Sequence, residues 1–339
     1  MADAGGREGK IRMPVNVVLE KIFRENARSS RAVVPWGDFI NTALYDENLG
    51  YYRRADKLRV GGDGADFYTS ASLKNRVFSE LVENAARTLA TRSGFDFDSL
   101  EFYEIGAEGD RRIIENSRAA KLGDKIEIPP KAIVVSNELL DARPFSRFKF
   151  CGGKWRKGFV EISKGADGFS AAEVFGEPEK FELGALAKYF PRAKVEGFRI
   201  DISFDALGLF EKICSAPWRG ILIFSDYFRT ADELSELPNG TARGYFKHTD
   251  RADILRDAGE ADITFSPCSD MLRDIAAKCG LQNFSDERQE KFFVKNAGET
   301  MRKIAQSPDP FDPRKRELVQ LLSPVHMGAA FRVISAVRK

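Results

Sequence analysis

Three short strand-like stretches, each closing on polar residues, constrain this chain more than anything else in it. They are residues 100–105, 132–136 and 220–225. The last two are apolar runs rich in Ile, Val, Leu and Phe, which fit strands buried on both faces. Helical stretches separate them, so the pattern predicts a mostly parallel sheet covered on both sides. In such sheets ligands bind outside the carboxyl ends of the strands. The three ends here are Glu104 with Gly106 and Gly109, then Asn137 and Glu138 with Asp141, then Asp226 and Tyr227. One acid at a strand tip is ordinarily a cap for the next helix. Three polar tips brought to one crevice point to a functional site.

Periodicity supplies the rest of the outline. Residues 15–26 repeat apolar positions at helical spacing, Asp38 is a candidate N-cap for a second helix to Leu44, and 73–93 form an amphipathic helix with Val77, Leu81, Ala85 and Leu89 on one stripe. Residues 59–65 are Gly-rich and polar, which predicts a loop. The stretch 145–162, with Gly152 and Gly153 at its middle, predicts a β-hairpin; the residues after it to about 198 read as irregular, and 145–198 as a whole reads as an insertion of mixed strands and helices. The divisions expected are a disordered terminus (1–14), an N-terminal helical region (15–93) and an α/β core (94–339) interrupted by an insertion at about 145–198. Within that core 261–265 is a short strand, 270–278 a helix, and 329–337 an edge strand.

Composition narrows the function classes. Lys and Arg number 53 against 51 Asp and Glu, so no basic excess marks a nucleic-acid footprint. The 27 Phe predict an aromatic-rich core. Cys151, Cys214, Cys268 and Cys279 form no Cys-x-x-Cys pair and, with only His248 and His326 as histidines, leave no spacing for a zinc site. No run approaches the length of a membrane span. The residues before Met13 carry Asp3 and Glu8, unlike a signal or transit peptide, which points to a bacterial cytosol rather than a mitochondrial matrix.

Six stretches in order resemble one family. They are 39–52 with its Gly50-Tyr51-Tyr52 turn, Asp66-Phe67-Tyr68-Thr69, Asn137-Glu138-Leu139-Leu140-Asp141-Ala142-Arg143-Pro144, Ser225-Asp226-Tyr227, Gly240-Thr241-Ala242-Arg243-Gly244-Tyr245, and Asp262-Ile263-Thr264 with the late Met327-Gly328. Together they resemble the MidA-type class I S-adenosyl-L-methionine-dependent methyltransferases, which include the mitochondrial enzyme that helps assemble respiratory complex I. The resemblance implies a class I methyltransferase-like (Rossmann-like) α/β fold, S-adenosyl-L-methionine as cofactor, no metal, and methylation of an arginine on a partner protein. Glu138 and Asp141 are then the carboxylates that grip a guanidinium, since planar guanidinium and carboxylate pair through two hydrogen bonds. One of them also takes the proton that the acceptor nitrogen must lose. Asn137 positions the ligand. Glu104, Gly106, Gly109, Asp66, Phe67, Thr69 and Asp124 line the cofactor. Asp226, Tyr227, Arg243 and Tyr245 stand on the substrate side. The hairpin is the candidate place for a partner or for the second subunit of a homodimer.

Two departures accompany the resemblance. The glycine loop carries Glu108 and Asp110 where the family has neutral positions. About two dozen residues separate the first two strands' motifs, although one βαβ unit alone takes about 30. The second-strand region is therefore expected to be shortened, its ribose-holding acid missing. These departures open an alternative, a non-catalytic family member acting as a protein-binding assembly factor.

Overall fold

The computed structural model describes residues 16–53, 75–107, 112–115, 117–166, 168–246, 249–251 and 253–339. The expectations for 1–14, the loop 59–65, Asp66, Phe67, Thr69, Gly109 and His248 fall outside the described residues.

Along the chain run α1 (Val17–Asn26), β1 (Arg31–Pro35), α2 (Trp36–Tyr45), α3 (Val77–Arg92), β2 (Glu101–Ala107), β3 (Arg118–Lys121), β4 (Lys131–Asn137), β5 (Ser146–Cys151), β6 (Lys154–Gly165), β7 (Gly168–Gly176), α4 (Lys180–Tyr189), β8 (Arg199–Ile202) and α5 (Phe204–Ser215). Then come β9 (Arg219–Asp226), α6 (Ala231–Ser235), β10 (Arg243–Phe246), β11 (Thr249–Arg251), β12 (Asp262–Thr264), α7 (Ser269–Lys278), β13 (Gln282–Arg288), α8 (Gln289–Asn296), α9 (Gly298–Ala305), α10 (Pro313–Leu322), α11 (Met327–Ala330) and β14 (Arg332–Arg338).

The main sheet has the order β13-β14-β9-β4-β2-β3. Its β3, β2, β4 and β9 pair in parallel, and β14 runs antiparallel to β9. The three stretches are β2, β4 and β9, and β4 and β9 are buried along nearly their whole length. One face packs on α3, whose Val77, Leu81 and Ala85 are buried, and on Phe292, Phe293, Ile304 and Leu321 of the C-terminal helices. The other packs on Phe210 and Ile213 of α5 and on Leu272 and Ala276 of α7. A second sheet, β1-β6-β5-β8 with β7 also on β6, contains the hairpin, whose turn is Gly152 and Gly153. A small third sheet, β11-β10-β12, stands beside the main one.

Several expectations need correction. Asp38 lies inside the first turn of α2, which begins at Trp36 after Pro35. With Pro35 at the N-cap position, the helix starts three residues earlier than a cap at Asp38 would place it. The N-terminal region also contains a strand, β1, paired antiparallel with β6. The insertion does hold strands and a helix, but the part after the hairpin that reads as irregular is regular, forming β7 and α4. The C-terminal strand β14 is no edge: it lies between β9 and β13, with Val333, Ile334, Ala336 and Val337 buried. The edge is β13, whose polar sequence QNFSDER hides it from a hydrophobicity reading. The second strand exists as β3, four residues long, on the opposite edge.

Candidate functional site

The site is built where β4 and β9 end. In the parallel ladder Asn137 lies opposite Ser225. The next residue, Glu138, takes a left-handed backbone with φ of 51°, a conformation that costs a non-glycine residue about 1 kcal/mol or more. Its N–H donates to the Ser225 carbonyl at 2.9 Å, which ties the turn to β9. The Asn137 Nδ2 donates to Glu138 Oε1 at 2.8 Å. Strain of this kind persists where the surroundings over-determine it, commonly at functional positions.

Asp226 explains how the following loop is held. Its Oδ2 accepts from the amides of Leu140 (2.9 Å) and Asp141 (3.3 Å), and its Oδ1 accepts from Tyr227 N at 2.7 Å. Burial pushes this carboxyl up to about 6, against the pull of those backbone amides. The expectation put Asp226 on the substrate side; the structure places both its oxygens on backbone.

Asp141 is different. It is 3% exposed, its backbone carbonyl accepts from Phe265 N at 3.1 Å, and its buried Oδ1 has no hydrogen-bond partner among the described residues. Burial, then the neighbouring charges of Asp226, Glu138 and Asp262, hold this carboxyl well above the usual carboxylate range, while Arg243 opposes them. An unpaired carboxylate oxygen in so dry a place is costly, unless a cation completes it.

Around Asp141 stand the expected Arg243, Tyr245 and Tyr227, together with Tyr45, Tyr52, Asp262 and Thr264, to which the sequence assigned no role. In the third sheet Arg243 faces Thr264 and Tyr245 faces Asp262. Tyr52 Oη donates to the buried Asp262 Oδ1 at 2.7 Å, and Tyr45 Oη donates to the Ala142 carbonyl at 2.8 Å. The two rings stack with centroids 5.6 Å apart. Burial, reinforced by Asp262, keeps the Tyr52 phenol well above its ordinary value. Thr264 Oγ1 is buried without a partner. The guanidinium of Arg243 lies 4.6 Å from the Tyr227 ring centroid and its Nε donates to Tyr245 Oη at 3.2 Å. Tyr227 in turn packs on Phe331. Alternation of Asp262 and Thr264 in a buried three-residue strand was the available signal: polar residues two apart on one inward face.

The block that carries Arg243 is clamped from the second sheet. Asp201 Oδ2 accepts from Thr241 N (2.8 Å) and Ala242 N (2.9 Å), while Oδ1 accepts from Arg147 Nε at 2.9 Å. Arg147 itself lies over the Trp36 ring.

On the cofactor side, Glu104 is buried and its Oε2 accepts from Ile113 N at 2.7 Å. Gly106 has φ of +85°, and a Cβ there would stand 2.8 Å from Leu139 Cδ1. Asp124 turns back on its own strand, accepting from Lys121 N at 2.9 Å. Thus Asn137, Glu138, Asp141, Tyr227, Arg243 and Tyr245 gather into one neighbourhood. Glu104 and Asp124 hold backbone, as Asp226 does.

A family model described as "Putative S-adenosyl-L-methionine-dependent methyltransferase" matches residues 81–285, more than half of the chain. The chain belongs to this methyltransferase family. Its cofactor is S-adenosyl-L-methionine. No curated protein sequence matches it. Among solved structures, a Burkholderia thailandensis protein described as a "likely methyl transferase" and bound to S-adenosyl-homocysteine is similar. It has a TM-score of 0.79 and 20% identity over 95% of this chain and 92% of that one. An uncharacterized protein of the same superfamily and organism gives 0.75 and 18% over 95% and 91%. At these identities the likeness establishes a shared α/β fold.

The residues present fit the family's cofactor. The buried Asn137 Oδ1, at the tip of β4 beside β2, has no hydrogen-bond partner among the described residues and is an acceptor waiting for a donor. Among the described residues no group of His, Cys, Asp and Glu is arranged to hold a metal, and no helix is long and apolar enough to cross a membrane.

Proposed function

We propose that this methyltransferase modifies the guanidinium of an arginine on a partner protein, in a respiratory-complex assembly role and a bacterial cytosol. The observation that carries the reading is the buried, unpartnered Oδ1 of Asp141 among Glu138, Asp226 and Asp262. Such an excess of buried acid invites a cation, and a planar one suits it, as the Arg243 guanidinium already lying over the Tyr227 and Tyr245 rings illustrates. S-adenosyl-L-methionine supplies a methyl group on a sulfonium centre. The chain's residues orient the acceptor nitrogen and receive its proton. Asp141, whose basicity burial has raised, takes that proton at Oδ1, and Glu138 holds the guanidinium in line. A non-catalytic assembly role has one observation in its favour, the four-residue β3 with Asp124 folded back on it.

The test uses labelled S-adenosyl-L-methionine and bacterial extract as the acceptor source, with methylarginine read by amino-acid analysis. Wild-type protein is expected to produce it, and Glu138→Ala to lose about 100-fold or more in rate while binding S-adenosyl-homocysteine normally. Cofactor binding with no methylarginine formed would sink the arginine assignment and favour the assembly factor.

A further inference from the structure

We infer that Arg53 binds the adenosyl end of S-adenosyl-L-methionine at the tip of β3, where Asp124 turns its carboxylate back on its own strand. The inference rests on the cofactor of the family and not on the identity of the acceptor.

The tip of β3 is Lys121, followed by the turn Leu122-Gly123-Asp124. The one carboxylate in that turn, on Asp124, is spent on the Lys121 amide at 2.9 Å. An acid at the end of this strand would otherwise accept hydrogen bonds from ribose hydroxyls. Gly123 has φ of +91°, and a Cβ built on it would meet Arg53 Nη2 at 3.2 Å and Nη1 at 3.9 Å. Both terminal nitrogens of the guanidinium therefore lie against the turn, and a larger residue at 123 would displace them. Arg53 itself is exposed.

Arg53 reaches this turn from a well-anchored place. Its N–H donates to the Gly50 carbonyl at 2.9 Å. Tyr51 N and Tyr52 N donate to the carbonyls of Ala43 and Leu44, both at 2.9 Å. The Tyr51 ring is fully buried. The next residue back, Tyr52, touches Asp262 in the acid pocket. One turn thus spans from the acceptor side to the tip of β3. A guanidinium at that tip has in-plane donors for ribose oxygens and a face that stacks on a purine. An acid accepts from the ribose hydroxyls, whereas Arg53 donates to them; the hydroxyl group serves either.

Calorimetric titration with S-adenosyl-homocysteine and with methylthioadenosine, which lacks the amino-acid tail, tests this. Arg53→Ala is expected to weaken both ligands by the same factor, about 10-fold or more, with the unfolding midpoint unchanged. Arg53→Lys, which keeps the charge without the planar fork, is expected to fall between the two. Wild-type affinity in Arg53→Ala overturns the inference, as does a loss confined to S-adenosyl-homocysteine, which would place Arg53 at the amino-acid tail. Wild-type protein that binds neither ligand overturns the cofactor reading and this inference together.

Discussion

Glu104 shows how a single carboxyl at a strand tip can set the pH dependence of the fold. Burial lifts it from 4.5 to about 7, opposed by the Ile113 amide and by Arg112 and Arg76. Between those two values the folded chain holds a proton that the unfolded chain has released. The stability this contributes is complete below about pH 4.5 and is lost as pH rises towards 7, a loss on the order of 3 kcal/mol. Glu104→Gln keeps an oxygen for the Ile113 amide and removes the titration. Urea unfolding should find the variant more stable than wild type at pH 8 and close to it at pH 4.5. A variant less stable at pH 8 would mean that the charged carboxylate is favoured in the folded chain.

At the scale of elements, α3 depends on a residue far along the chain. Glu317 of α10 is buried, and its two carboxylate oxygens accept from Asn75 N (2.7 Å) and Val77 N (2.8 Å). It caps a helix to which it is not connected, satisfying amides that the helix start leaves open and placing a negative charge at the positive end of the helix dipole. Glu317→Ala strands the buried Val77 amide, and chemical denaturation should show a loss of about 1–3 kcal/mol; a change under 0.5 kcal/mol, the ordinary size of a surface substitution, would rule the cap out. The contact also marks where sequence reading stops. β4 and β9 were legible because burial on both faces demands unbroken apolar runs, and β2 because its polar tip leads into glycines. β13 was not, because an edge strand with one wet side can be polar, and with β13 unseen β14 looked like the edge. Asn137, Glu138 and Asp141 were legible as a strand tip with its motif. Tyr45, Tyr52 and Thr264 were not, because only the non-local pairing of β10 with β12 and the turn after α2 bring them to Asp141.

The pocket exists only in the whole molecule. Asp141 comes from the loop after β4, Asp226 from the end of β9, Asp262 from β12, and Arg243 from β10, clamped by Asp201 of the second sheet. No one element would tolerate these acids together; the packing of three sheets forces them close, and the folded chain bears the repulsion. Asp141 bears it most directly, so the stability its carboxyl contributes is lost as pH rises above the ordinary value of 3.8. Asp141→Asn removes the charge and leaves the shape. It should therefore raise stability at pH 8 by about 1–3 kcal/mol and change it little at pH 3, while abolishing methylarginine formation. The two readouts together separate a binding pocket from an ordinary core. A variant that gains stability and still methylates would leave the acids without the guanidinium. One that loses stability at pH 8 would mean that Asp141 is held by its neighbours rather than strained by them, as a protein carrying a pre-formed site for a cation would not be.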